Sequence, residues 1–497
     1  MITQFQPHIV LGLGDGSIID IIPPDRRVCL IMFPGEQGEP PAREGLTFVR
    51  AETVASAMNW IRRQFASHAQ IVTLASTLVL ADHELSPEAE KHRAAWSPEI
   101  VKRICLYFED LGNDPRDTWT GVRHSIIHGP LLQTAPTTDD LLMHYKGLPA
   151  ICLGAGPSAA EPGIMDSIAA AQGKAVILAT DAMLRPLRAR GINPDFVVAI
   201  ERIEATADML DGLGGGGATL IAPPPIAPRA VAAMERDVLW YWRPDNLERW
   251  LCPYAVGRNT GNSCGTLGVA AAIIAGCDPI YLIGHDLCMA DDGRTHSDDA
   301  DPAAKSLATM LGSTPYYTPE DEVAIDGRPV RTTPLWRLFR ADLEHFMQST
   351  VDVCTVVNCS NGLDIRGTKV GPFPTTWPAT AVPPKPTRDL VRPLPKNPRE
   401  FLDTLRLDCG QIVQAVRALE ETGIADPDAL LLPKLVDPST LVLWRDITRS
   451  LYHSTLLRLH LRPEEGPEFA GRARAHMATA LKASAQLILD EINALRL

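Results

Sequence analysis

The sequence predicts an α/β protein centred on a doubly wound, mostly parallel sheet, with a small α/β domain before it and a helical domain after it. Three observations carry this. In the middle third, short apolar runs alternate with helical segments at short spacing, the signature of strands joined by helical crossovers. Those runs end in glycine, carboxylate or histidine, the residue types that gather where such sheets bind ligands. After them comes a proline-rich stretch and then a tail with helical apolar spacing.

The runs can be placed in order. Ala150–Leu153 reads as a buried strand, followed by Gly154-Ala155-Gly156-Pro157-Ser158 and a helix over Glu161–Gln172. Ala175–Thr180 is the next strand, ending in Asp181, with helix Met183–Arg190 behind it. Gly191-Ile192-Asn193-Pro194 turns the chain into strand Phe196–Ile200, which ends in Glu201. Thr219–Ala222, Val238–Trp242 and Pro279–Ile283 follow, the last ending in Gly284-His285-Asp286. The strand ends are expected to converge on one crevice.

The flanks are plainer. His8–Leu13 and Val28–Phe33 read as strands and Ala51–Phe65 as a helix, which makes residues 1–140 a small α/β domain. Gly12-x-Gly14-x-Gly16 reads as a hairpin turn, because Ser17–Ile22 looks like a second strand. The central domain spans 141–371. Nine of the 27 residues from Pro372 to Pro398 are proline, so that stretch is expected to be an extended, semi-rigid linker. Residues 399–497 read as three helices, Glu400–Thr422, Ser439–His460 and Glu464–Leu497, a docking or homo-oligomerisation module.

Composition narrows the function. With 45% hydrophobic and 22% charged residues among 497, the chain has the balance of a soluble globular protein of roughly two to four domains. No apolar run reaches the roughly 18 residues of a membrane span, and no signal peptide is evident, so a cytoplasmic location and no membrane partner are expected. The ten cysteines are scattered, without a C-x-x-C pair or zinc spacing, as for buried thiols in a reducing compartment. A net charge of −13 argues against nucleic acid as a partner.

Three segments could carry chemistry. Gly154-x-Gly156-Pro157-Ser158, between strand and helix, could let a phosphate approach the backbone, with Ser158 capping or donating; a plain tight turn fits equally well. It lacks the lysine of a Walker loop. Asn259-Thr260-Gly261-Asn262-Ser263-Cys264-Gly265 feeds a helix over Thr266–Gly276, either as a donor-rich nucleotide loop or simply as a capped helix start. The stretch from His285 to Asp301 holds His285, Asp286, Asp291, Asp292, His296, Asp298, Asp299 and Asp301. It could serve acid–base chemistry or bind a hard divalent cation, with Asp286, Asp291 and Asp292 as metal candidates.

Seven segments in order resemble one family. They are Leu148–Ser158, Asp181–Leu187, Gly191–Asp195, Ile200-Glu201, Gly261–Gly265, Ile283–Leu287 with His296 beyond, and Asn361–Gly367. Together they look like the core of the motility accessory factors, the Maf-type flagellin glycosyltransferases. Two positions depart from its pattern: the family usually has Asp where this chain has Glu201, and often Gln where it has His285. The core is also similar to bacterial sialyltransferases and to archaeal hydroxymethyl-dihydropterin pyrophosphokinases.

The resemblance implies a Rossmann-like, sialyltransferase-like core. It implies transfer of a sialic-acid-like sugar, pseudaminic or legionaminic acid, from its CMP donor to flagellin Ser or Thr, in the service of flagellum assembly and motility. It further implies a nucleotide site at Gly154, Gly156, Pro157, Ser158, Asp181, Glu201, Asn262, Ser263 and Gly265. His285 or His296 would be the base, with Asp286 orienting a histidine or a sugar hydroxyl. No cofactor beyond the activated sugar is expected, apart from a divalent metal as an open alternative. Two rival readings are an ATP-dependent pyrophosphokinase and a non-catalytic flagellin-binding protein.

Overall fold

The structure is a computed structural model of all 497 residues. It describes residues 8–24, 26–65, 78–81, 84–109, 115–243, 260–302, 310–312, 315–350 and 353–387, with single positions inside 402–417 and 482–493. The chain forms two compact units, Met1–Pro115 with Leu405–Arg496, and Arg116–Thr404 with Leu497.

In the first unit, β1 (His8–Leu11), β2 (Val28–Met32), β3 (Leu46–Arg50) and β4 (Leu78–Ala81) form a parallel sheet in the order β3-β2-β1-β4. One face packs on α2 (Val54–Gln64) and α3 (Pro87–Glu109), through Trp60, Ile61, Trp96 and Ile100. The other packs on α1 (Ser17–Ile21) through Ile18 and Ile19. The segment Ser17–Ile22 is therefore not a strand, and Gly12, Gly14 and Gly16 make a strand-to-helix turn rather than a hairpin. The physical reason lies in the spacing. Ile18, Ile19 and Ile22 are buried while Asp20 and Ile21 are exposed, a helical pattern that a short isoleucine-rich run conceals. The turn is also filled: the Glu36 carboxylate accepts the N–H groups of Leu13 (2.9 Å) and Phe33 (2.6 Å).

The second unit begins with α4 (Pro115–Ile127) and α5 (Gly129–Thr134). Its sheet contains β5 (Ala150–Leu153), β6 (Val176–Thr180), β7 (Phe196–Val198), β8 (Thr219–Ala222), β9 (Val238–Trp240), β10 (Ile280–Ile283), β13 (Val356–Asn358) and β14 (Lys369–Val370). All pairings are parallel, in the order β14-β13-β10-β5-β6-β7-β8-β9. A small antiparallel pair, β11 (Glu320–Val323) and β12 (Pro329–Thr332), stands apart. The central strands read as unbroken apolar runs because both faces are covered. Cys152, Leu178, Val198 and Leu282 face α10 (Cys264–Ile274) and α11 (Pro334–Thr350), while Ile151, Leu153, Ile177 and Ile283 face α6 (Ile164–Ala171) and α7 (Asp181–Ala189). Beyond them, Val197, Leu220 and Trp240 pack with α8 (Glu204–Leu210) and α9 (Pro228–Ala233).

The proline-rich stretch carries no helix or strand where it is described, and there it is no free spacer. Residues 372–387 lie along the second unit. Phe373 and Trp377 form an edge-on aromatic cluster with Tyr281 of β10, and Trp377 Nε1 donates to the Ser167 carbonyl (2.9 Å). Val382 N–H donates to Gly173 O (3.0 Å), and Lys385 donates to Thr219 Oγ1 (3.0 Å) while sitting over the Phe196 ring. The tail is helical at the positions described within 402–417 and 482–493; the expected helix Ser439–His460 lies outside the described residues. Among the described residues no helix is long and apolar enough to cross a membrane.

Candidate functional site

From β5 the chain winds outward to β9, then returns to the opposite side of β5 as β10. The switch point of the sheet, where such folds bind ligands, thus lies between the carboxyl ends of β5 and β10. Here the Gly154–Ser158 loop meets Gly284-His285-Asp286. The N–H groups of Gly154 and Gly156 donate to Ile283 O (2.8 Å) and Gly284 O (2.9 Å). The Asp286 carboxylate accepts both the N–H (3.1 Å) and the hydroxyl (2.9 Å) of Ser158, whose oxygen in turn accepts the N–H of Gly284 (3.1 Å). Asn361-Gly362-Leu363 closes the knot, with Leu363 N–H on Asp286 O (2.8 Å).

The glycines of this loop serve backbone-to-backbone packing. A Cβ at Gly154 would run into the Gly284 carbonyl, and one at Gly156 into Asp286 Oδ2 and Gly284 O (2.6 Å). At Gly362 it would strike the Asp286 main chain. The loop also does not open a helix: Pro157–Ala160 is a 3-10 turn, and α6 starts only at Ile164 behind Gly163. The N–H groups of Gly154, Gly156, Ser158 and Ala159 are engaged inside the protein and Pro157 has none, so these residues hold the loop together as a structural knot. The sequence could not separate such a knot from a phosphate cradle, since either demands glycine.

His285 and Asp286 are both buried, at 5% and 4% exposure. Burial raises the Asp286 carboxyl pKa while the two Ser158 bonds work against it. Burial pulls the His285 imidazole down to about 4, partly opposed by the Cys152 carbonyl, so the ring is neutral at pH 7. Its main-chain N–H is held by Ser360 Oγ (2.9 Å), and its Nε2 is buried without a hydrogen-bond partner. His296 is half-buried, with Nδ1 2.9 Å from Thr295 Oγ1, on a loop tied to the knot by Ser297 N–H on Ala155 O (2.8 Å).

Beside the knot lies a cavity of about 440 Å³, lined among others by Ser158, Glu161, Asp286, Asp298, Arg294 and Arg328. Asp291 and Asp292 line it too, but as partners of arginine: Asp291 of Arg328 (2.9 Å) and Asp292 of Arg294 (2.5 Å). Asp286 faces Ser158. The three carboxylates suggested for a metal are therefore each engaged separately, and among the described residues no group of three His, Cys, Asp or Glu could hold an ion. As placed, these three carboxylates do not converge on one ion.

On the other side of the β5 end, Asp181 begins α7 and is 6% exposed. Its carboxyl accepts the Ala182 N–H (2.9 Å) and pairs with the Cys264 thiol, with Glu201 as its charged neighbour. Burial, assisted by Glu201, raises its pKa from 3.8 to about 7. Glu201 itself is exposed. Ser263 caps α10: its Oγ accepts the Thr266 N–H (3.1 Å), and Thr266 Oγ1 accepts the Ser263 N–H (3.0 Å). Asn262 spends its N–H and Nδ2 on Asp342 Oδ2 (3.0 and 3.1 Å). Gly265 leaves room for His285, whose Cε1 lies 2.9 Å from where a Cβ would be. Asn259 lies outside the described residues.

Residues 130–292 match the family described as 6-hydroxymethylpterin diphosphokinase MptE-like. The chain's fold matches the structure of the Maf glycosyltransferase from Magnetospirillum magneticum AMB-1 at a TM-score of 0.63 and 18% identity, covering 98% of this chain and 80% of that one. The fold is Maf-type. No curated protein matches by sequence.

Within this Maf-type fold, four participants escaped the sequence reading. The Cys264 thiol joins Asp181, although a cysteine in an apolar segment reads as core. Arg294 and Arg328 shape the cavity, yet arginines in polar loops carry no pattern. Gly362 locks Asp286, and its only signal was its place in the last of the seven segments.

Proposed function

We propose that this chain is a glycosyltransferase that moves a nonulosonic acid from its CMP donor to Ser or Thr of flagellin. The observation that carries this reading is the whole-chain likeness to a Maf glycosyltransferase, 98% of the chain, with the knotted switch point where an α/β sheet takes its ligand. The nucleotide sits beyond β6 and β7, against Asp181, Glu201 and the start of α10. The cavity, walled by carboxylates and two guanidinium groups, suits a hydroxyl-rich group, which can donate to the former and accept from the latter.

In this mechanism the anomeric carbon gains oxocarbenium character as the CMP phosphate departs, and the acceptor hydroxyl gives its proton to a base. His296 is the base, half-exposed and beside the knot. Asp286 is a positioning residue: its bonds to Ser158 fix the loop on which the crevice is built. Restriction of the chain to cytoplasmic flagellin, before export, follows from the same reading.

The diphosphokinase reading is favoured by the family match over residues 130–292. It requires Mg²⁺ between nucleotide phosphates, and the separate engagement of Asp286, Asp291 and Asp292 speaks against it. Thermal denaturation with each nucleotide separates the two, because a ligand bound only by the folded state raises the midpoint. CMP should raise it without added metal, and ATP with Mg²⁺ should not. The reverse result would replace the transferase with the kinase.

A further inference from the structure

The carboxyl ends of β6 and β7 carry polar side chains that the protein itself leaves unused. Thr180 closes β6 and is 8% exposed, yet its Oγ1 has no hydrogen-bond partner. It stands at the capping position of α7 without capping it. Two residues earlier Leu178 packs with α10, and alternation along the strand turns Thr180 to that same face. There the thiol of Cys264, the first residue of α10, pairs with the Asp181 carboxyl. Glu201, beyond the end of β7, is the charged neighbour of Asp181. It is exposed, and among the described residues it makes no hydrogen bond or ion pair.

A buried hydroxyl without a partner is costly, so its presence calls for a partner from outside the chain. The residues around it say which kind. The Glu201 carboxylate can only accept, and Asp181, which already takes the Ala182 N–H (2.9 Å), has acceptor capacity left. Arg202, next to Glu201 in the chain, is engaged by Asp117 (3.5 Å) and brings no donor to them. The other unpartnered buried atom beside α10 agrees. Neutral His285 gives its one ring N–H, at Nδ1, to the Cys152 carbonyl, so its Nε2 can only accept. An anion gains nothing from such a set. Two adjacent hydroxyl groups can donate to two carboxyl groups at once and accept from a third hydroxyl. In dinucleotide-binding sheets of this kind, a carboxylate at a strand end holds a ribose hydroxyl by the same chemistry.

We propose that Thr180, Asp181 and Glu201 form a subsite for a vicinal diol, the 2′- and 3′-hydroxyls of the donor's ribose, which donate to the two carboxyl groups while one accepts from Thr180. The inference rests on the nucleotide-sugar reading and deepens it, because it fixes which end of the donor meets β6 and β7. The ribose lies there, and the phosphate points away from these acceptors.

The test is calorimetric binding of CMP, AMP and their 2′,3′-dideoxy counterparts to the full chain. Wild type should hold CMP roughly tenfold or more tighter than dideoxy-CMP. Thr180→Val, which removes a hydroxyl that no protein group uses, and Glu201→Gln should each narrow that gap severalfold. Both should leave dideoxy-CMP affinity unchanged, and Thr180→Val should melt no lower than wild type without ligand. Equal affinity of wild type for CMP and dideoxy-CMP would overturn the subsite and leave the nucleotide reading standing. So would a gap that neither variant narrows. A diol preference seen with AMP and narrowed by both variants, with no binding of CMP, would keep the subsite and remove the CMP reading. Binding of neither nucleotide would overturn both.

Discussion

At Gly156 the smallest side chain decides between two accounts of the loop. If glycine were there for a ligand, Gly156→Val would fold normally and lose only nucleotide. Because a Cβ meets Asp286 and the Gly284 carbonyl, Gly156→Val should instead destabilise the second unit by at least about 1–3 kcal/mol, seen as an earlier thermal transition without any ligand. An unchanged transition would return the loop to the phosphate. Asp181 offers a second residue-scale test, and its sign follows from linkage. Its folded pKa, about 7, lies above the ordinary 3.8. The stabilisation that comes from holding the proton is complete below 3.8 and lost as pH rises through about 7. Asp181→Asn cannot ionise, so its melting midpoint should exceed wild type by a widening margin from pH 4 to 8. A constant margin would mean that Asp181 is not held protonated.

At the scale of elements, the strands of the second unit were legible and their surroundings were not. Ala150–Leu153 and Thr219–Ala222 match β5 and β8 residue for residue, because strands buried on both faces are unbroken apolar runs bounded by turn residues. Helix starts were less visible. The 3-10 turn at Pro157–Ala160 and the left-handed Gly163 that opens α6 depend on the knot with Asp286, a contact 128 residues away in the chain. The same holds for the proline-rich stretch: composition signals extension, but whether it packs depends on Tyr281 and Ser167. Trp377→Ala should therefore cost the second unit roughly 2 kcal/mol, less than the roughly 3–5 of a fully buried tryptophan. Equal melting of variant and wild type would restore the free-spacer account.

For the whole molecule, order along the chain proved more informative than any one motif. Of the seven segments spread from Leu148 to Gly367, all but Gly191–Asp195, which leads into the amino end of β7, reach the carboxyl edge of a sheet whose strands interleave as β10-β5-β6-β7. The division of labour among the residues there was not readable, since Asp286, Ser158 and Gly156 look the same in sequence whether they hold a ligand or each other. Purified chain, flagellin and a CMP-activated nonulosonic acid should be incubated together and the flagellin weighed by intact-mass spectrometry. Flagellin should become heavier by whole sugar residues, with no increase without the CMP donor and a loss of roughly two to four orders of magnitude in rate with His296→Ala. Flagellin of unchanged mass, with the CMP donor bound but its sugar left in place, would contradict the proposed transfer.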